Sequence, residues 1–166
     1  MELWDAYNSD ETLAGRDLVR GEKIPMGLKH AVAEVLVLHR DGSMLVTQRA
    51  FSKPNYPGMY EASAGGAVQK GETMLQGARR ELWEETGIEM AEESLTDTYR
   101  VVTDHVIYRG YVCTTDIPKD MIILQEEETI SYRWLEREEF LSFFQSEQYV
   151  STLRERQREL VEKILT

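Results

Sequence analysis

The chain has 166 residues, 42% of them hydrophobic and 30% charged, a balance that suits one folded domain with its own core. Nineteen Lys and Arg against thirty Asp and Glu leave a formal net charge of −11, which excludes a nucleic-acid polymer or an anionic membrane as the main partner, because both would repel it. No apolar run approaches the about eighteen residues of a membrane span, the first twenty residues show neither a signal nor a transit peptide, and the lone Cys113 excludes a disulfide framework, so a cytoplasmic location is expected.

In chain order, Leu3–Tyr7 and Arg16–Gly21 read as a strand pair around a turn-rich NSDETLAG, a place where two copies could meet as a homodimer. Pro25 and Gly27 break the chain. Residues 31–39 (AVAEVLVLH) are nearly continuously apolar, as in a central strand covered on both faces. Asp41-Gly42 signals a hairpin, with 44–48 as the returning strand. A Pro- and Gly-punctuated loop over 52–58 leads to a short segment, 60–64, that runs into Gly65-Gly66. Residues 73–85 are strong helix formers with Met74, Leu75, Ala78 and Leu82 near helical spacing, and Gly87 is placed to end that helix. Strands follow at 99–104, 106–114 and 129–135, then helices at 138–144 and 150–165, the last with an apolar stripe of Leu153, Leu160, Val161 and Ile164.

The charge is unevenly placed. Residues 72–139 hold 7 basic and 17 acidic side chains, while the flanking stretches are close to balanced. These acids are interleaved with Leu82, Trp83, Val101, Val102, Val106, Ile107, Tyr108 and Trp134, which argues against a disordered acidic segment. On the helix, Glu81, Glu84 and Glu85 fall at i, i+3 and i+4, where like charges repel by a few tenths of a kcal/mol (about 0.2–0.5) per pair. A hard divalent cation would offset this, since carboxylate oxygens suit Mg²⁺, which is commonly shared between one or two protein carboxylates and substrate phosphates. The glycine-rich turn just before the helix lets backbone carbonyls approach such a site. Three glutamates alone also suit a solvated helix face. The spacing around them decides the reading.

Gly66, Glu72, Arg80, Glu81, Leu82, Glu84, Glu85, Gly87 and Ile88 match every fixed position of GX5EX7REUXEEXGU, the Nudix box, with U a bulky aliphatic. With average residue usage, this match arises by chance on the order of once in ten million chains of this length. The chain thus resembles a Nudix hydrolase. Leu45–Arg49, Pro57–Tyr60, Glu127-Glu128 and the stretch from Tyr132 to Phe140 extend the similarity beyond the box. The resemblance implies one domain over 1–166, with 1–28 as an N-terminal β-hairpin extension, and an α/β fold: an α/β/α sandwich around a mixed β-sheet. It implies that Glu84 and Glu85 bind catalytic Mg²⁺ or Mn²⁺, that Glu81 is a further ligand or base, and that a carbonyl of Gly65 or Gly66 joins them. Arg80 pairs with Glu72 to orient the helix, Arg49 contacts phosphate, and Glu127 or Glu128 is an extra ligand or base.

The reaction implied is metal-dependent hydrolysis of a diphosphate linkage in a small organic or nucleoside diphosphate derivative. The opening residues 3–30 and SAGG in place of PGG resemble the isopentenyl diphosphate isomerase-like branch, whose isomerase needs a Cys and a His. Gly65 and Ala67 stand at those two places, so hydrolysis is preferred over isomerisation, and a non-catalytic ligand sensor is the other alternative. His30, His39 and His105 lack metal-ligand spacing. Cys113 reads as a buried hydrophobe, Tyr56, Tyr60 and Trp134 as packing, and Trp83 as pointing inward from the box helix.

Overall fold

The computed structural model describes residues 1–166. Its centre is β3 (His30–His39), the apolar run of the sequence. Over its whole length β3 pairs in parallel with β8 (Val106–Thr115), from His30 opposite Val106 to His39 opposite Thr115. On its other edge it pairs antiparallel with β6 (Ala64–Ala67) and, at its far end, with β4 (Met44–Arg49). The mixed sheet runs β5-β4-β3-β8-β7, with β5 at Tyr60–Glu61 and β7 at Thr96–Val102, while β9 (Thr129–Leu135) pairs with β4.

A parallel central strand is stable only when both faces are covered. Ala31, Ala33, Val35 and Val37 point to a core shared with α1 (Met74–Thr86), to which Ala78 and Leu82 belong. Leu36 points to the opposite core, filled by Phe140 and Phe144 of α2 (Arg137–Phe144) and Leu153 and Leu160 of α3 (Ser151–Leu165). This is the α/β/α sandwich with a mixed sheet that the sequence predicts. No helix is long and apolar enough to cross a membrane.

The N-terminal pair, β1 (Leu3–Tyr7) and β2 (Leu13–Val19), forms its own two-stranded sheet and braces the loop before α1. Lys70 N–H donates to the Leu3 carbonyl at 2.9 Å, Gly71 N–H to Asp5 at 2.8 Å, and Lys70 Nζ to Asp17 at 2.6 Å. Trp4 stacks on His30 with ring centroids 4.2 Å apart. Three boundaries differ from the sequence reading. β2 starts at Leu13 and β7 at Thr96, each three residues early, because pairing with Tyr7 and Val112 extends them through Ala14-Gly15 and Asp97, residues of poor strand propensity. The 60–64 segment splits into β5 on β4 and β6 on β3.

Candidate active site

Helix α1 is closed at both ends by its own sequence. The Thr73 hydroxyl accepts from Gln76 N–H at 3.1 Å and the Gln76 side chain accepts from Thr73 N–H at 2.9 Å, a capping box. Gly87 adopts the left-handed conformation, φ 73°, and returns its N–H to the Trp83 carbonyl. Along the buried stripe, Ala78, Leu82 and Glu85 fall within about 60° of one another at 3.6 residues per turn. The same stripe that packs the helix therefore carries the Glu85 carboxyl into the protein, where the residue is only 6% exposed. Trp83 lies about 140° from Ala78 and is 59% exposed, so the expectation that it packs inward is corrected: helical phase, rather than opposition to the glutamates, sets its direction.

Arg80 uses every donor it has. Its Nε and Nη2 hold Glu72 at 2.7 and 2.9 Å, Nη2 also reaches the Ala67 carbonyl at 2.9 Å, and Nη1 bonds Glu81 at 2.7 Å and Glu84 at 3.2 Å. One guanidinium thus ties the helix to the loop before it and orients two box glutamates. Although burial opposes its charge, the Glu72 and Glu81 carboxylates push the Arg80 pKa upward. Glu72, against the same cost of burial, is held below its ordinary value by Arg80 and by the Gln69 N–H.

Glu85 accepts from Gly65 N–H at 3.2 Å. Its carboxyl is pushed well above the ordinary value, first by burial and then by the neighbouring Glu61, Glu81 and Glu128 carboxylates. Glu81 is raised by burial and by Glu84, and Glu61 by burial and Glu34, each only partly relieved by an arginine. Gly66 completes this pocket by what it lacks. A Cβ there would sit 2.4 Å from the Glu81 carboxyl, so the carboxylate occupies the space of the missing side chain.

The remaining predicted residues take definite partners. Arg49 bonds Glu61 at 3.1 Å and the Asn55 carbonyl at 3.1 Å. Glu128 pairs with Lys53, while Glu127 is exposed with φ 69°. The box thus brings Glu72, Arg80, Glu81, Glu84 and Glu85 together, with Gly65, Gly66 and Glu128 beside them, and leaves Glu127 outside. As the side chains stand, no three acidic, His or Cys groups form a ready-made cation cage. The donor chemistry nevertheless suits a hard cation: carboxylates crowded enough to repel their own charge, beside a glycine cradle.

Next to Gly65 opens a cavity of about 530 Å³, within the range of small-molecule sites, whose wall carries Glu34, Arg49, Tyr56, Glu61, Tyr108 and Arg156. Glu61, Lys53, Glu34 and Arg156 were not singled out from sequence. Glu34 had a signal there, as the one charge inside AVAEVLVLH. Cys113 is buried, as the sequence predicts, with its thiol pushed up to about 12 by desolvation. His39 Nε2 lies 3.1 Å from the Ile117 carbonyl. Tyr60 and Trp134 pack edge-on against Phe143 and His39, and Tyr56 packs against the α2–α3 core while also lining the cavity.

Comparison with known proteins finds one domain match, two relatives in sequence and one similar fold. The NUDIX domain model matches residues 28–161. An uncharacterized Nudix hydrolase of Listeria monocytogenes, lmo0368, is 30% identical over 150 residues, 90% of this chain and 89% of that protein. The isopentenyl-diphosphate Delta-isomerase of Salmonella typhi is 32% identical over 124 residues, 70% of this chain and 66% of that one. In three dimensions the chain is similar to the crystal structure of DR0079 from Deinococcus radiodurans, with a TM-score of 0.76, 22% identity, and coverage of 99% and 100% of the two chains.

Proposed function

Because the chain belongs to the Nudix family, we propose that it hydrolyses a diphosphate linkage in a small organic or nucleoside diphosphate derivative with the help of Mg²⁺ or Mn²⁺. The observation that carries this reading is the end of α1. Arg80 holds Glu72, Glu81 and Glu84 in one network, while Glu85 is buried against Gly65 N–H among carboxylates that raise its pKa. A folded protein keeps such repulsion when it has a use for it.

Glu81, Glu84 and Glu85, with a backbone carbonyl of Gly65 or Gly66, would hold the ion. When bound, a divalent ion supplies positive charge to the phosphate oxygens and makes a water more acidic. Glu81 and Glu84, which Arg80 orients, would turn their carboxylates to the ion, and Arg80 would still hold the helix through its bonds to Glu72 and the Ala67 carbonyl. Arg49, which lines the cavity beside its partner Glu61, would meet phosphate oxygens there, and Lys53, paired with Glu128, would supply a second cation. Glu128, whose charge reaches Glu85, would serve as the extra ligand or as the base for the attacking water. Gly65 and Ala67 offer no side chain that could move a proton on an allylic carbon, which supports hydrolysis over isomerisation.

The test is a phosphate-release panel, with and without coupling enzymes, over nucleoside di- and triphosphates, nucleotide sugars, dinucleotides and isoprenoid diphosphates. Release from at least one of them that requires Mg²⁺ or Mn²⁺ is expected. Tight binding of one without any metal-dependent release would overturn the reading in favour of a sensor.

A further inference from the structure

On the α3 side of the sheet, three side chains from three strands lie in one row: Val32 of β3 is opposite Tyr108 of β8, and Tyr108 is opposite Val101 of β7. Directly opposite residues share a face, so this row forms the floor of the cavity beside Gly65. The next row is Glu34, Gly110 and Tyr99. Gly110 has no side chain, and the Tyr99 ring lies over it so closely that a Cβ there would be 2.1 Å from the ring. That crossing brings the Tyr99 hydroxyl within 2.7 Å of Glu34, to which it donates.

From α3, Arg156 donates to the same carboxylate through Nε at 3.0 Å and through Nη2, and its guanidinium lies 3.9 Å from the centroid of the Tyr108 ring. Glu34 is 7% exposed and the Arg156 side chain 14%. A buried ion pair is a weak source of stability, because desolvation offsets much of its attraction. Here it serves to hold one planar cation flat against one aromatic ring on the wall of a cavity. Nη1 of Arg156 makes no hydrogen bond within the chain and is left as a donor.

We propose that Arg156, held by Glu34 and stacked on Tyr108, is the specificity-determining residue for the group attached to the diphosphate, and that this group is a planar heterocycle bearing a carbonyl acceptor. A flat ring gains from the Val32–Tyr108–Val101 floor and the adjoining guanidinium, and its carbonyl would accept from the free Nη1 donor. An isoprenoid chain would instead cover Glu155 and the free Nη1 of Arg156 on the same walls without offering either a partner. A bare sugar would leave the stacked surface unused. The inference rests on the diphosphate reading above, since it places the reacting phosphates at the Gly65 end of the same cavity.

The test is calorimetric titration of the full chain in EDTA with uridine 5′-monophosphate and adenosine 5′-monophosphate, each against ribose 5-phosphate, which has the same phosphate and sugar without the ring. Uridine 5′-monophosphate, whose ring bears carbonyls, should bind about tenfold more tightly than ribose 5-phosphate, a difference of ~1.4 kcal/mol, and adenosine 5′-monophosphate, whose adenine has no carbonyl, should gain less. Arg156→Lys and Tyr108→Leu should each bring that ratio to within about twofold while ribose 5-phosphate binds as before. If one variant does not fold, the other reads the same ratio. A uracil ring that adds no affinity in the wild-type chain, adenosine 5′-monophosphate bound as tightly as uridine 5′-monophosphate, or a ratio that survives substitution, overturns the proposal. Because no metal is present, failure of the hydrolysis reading would show in the phosphate-release panel and leave this ratio untouched.

Discussion

Two glycines, one on each side of the sheet, are both places where a side chain cannot be added, and they differ in what occupies the space. Above Gly66 lies the free end of a flexible side chain, the Glu81 carboxyl, which can swing away. Above Gly110 lies the rigid ring of Tyr99, itself pinned to Glu34. The first glycine belongs to a chemical arrangement and the second to a packed support. The contrast separates the two halves of the proposed site: a reacting end made by one contiguous motif, and a reading end assembled from β3, β7, β8 and α3.

The largest expected effect lies at the reacting end. Glu85→Gln and Glu84→Gln should each lower turnover by orders of magnitude, while circular dichroism shows a folded chain. For Glu85→Gln the melting temperature should not fall, because the amide removes a carboxyl that burial and its acidic neighbours push upward. Full activity in both variants would remove the metal-ligand assignment.

Gly66→Ala should lower turnover by about a hundredfold, the cost of a group misplaced by about 1 Å. Because Glu81 can yield, urea unfolding should move by no more than about 0.5 kcal/mol. Gly110→Ala should do the reverse. Displacing the Tyr99 ring should cost about 1–3 kcal/mol in urea unfolding, as overpacking does, with turnover per folded molecule changed less than in Gly66→Ala. If the two glycines behave alike, the division into a reacting and a reading end is wrong.

The same division explains what the sequence made legible. Residues 66–88 are local: the helix and its Gly87 stop follow from spacing, the Arg80–Glu72 pair follows from the resemblance, and the structure has each of them, with Thr73 as a cap that the sequence reading had put inside the helix. β3 was equally readable, because a nearly unbroken apolar run has few other uses. The reading end joins residues as far apart as Glu34 and Arg156, and nothing in local periodicity links them. Pairing with a neighbouring strand also moved the starts of β2 and β7, which Gly15 and Asp97 had hidden. Lys53 and Glu61 stayed unnoticed because each sits near turn signals that account for the local sequence without a functional role. The Trp83 error was one of reference. It took the glutamates as the outer face of α1, whereas Glu85 lies on the buried stripe itself.

The central claim is that the acidic end of α1 is a divalent-cation site. Electron paramagnetic resonance titration of Mn²⁺ into the full chain, beside the Glu81→Gln/Glu85→Gln double variant, measures it without any assumption about substrate. The wild-type chain should bind Mn²⁺ and bind it more tightly with a non-hydrolysable diphosphate analogue present, and the double variant should bind at least about tenfold more weakly. Equal binding by the two chains, or none by the wild type with the analogue present, would contradict the account.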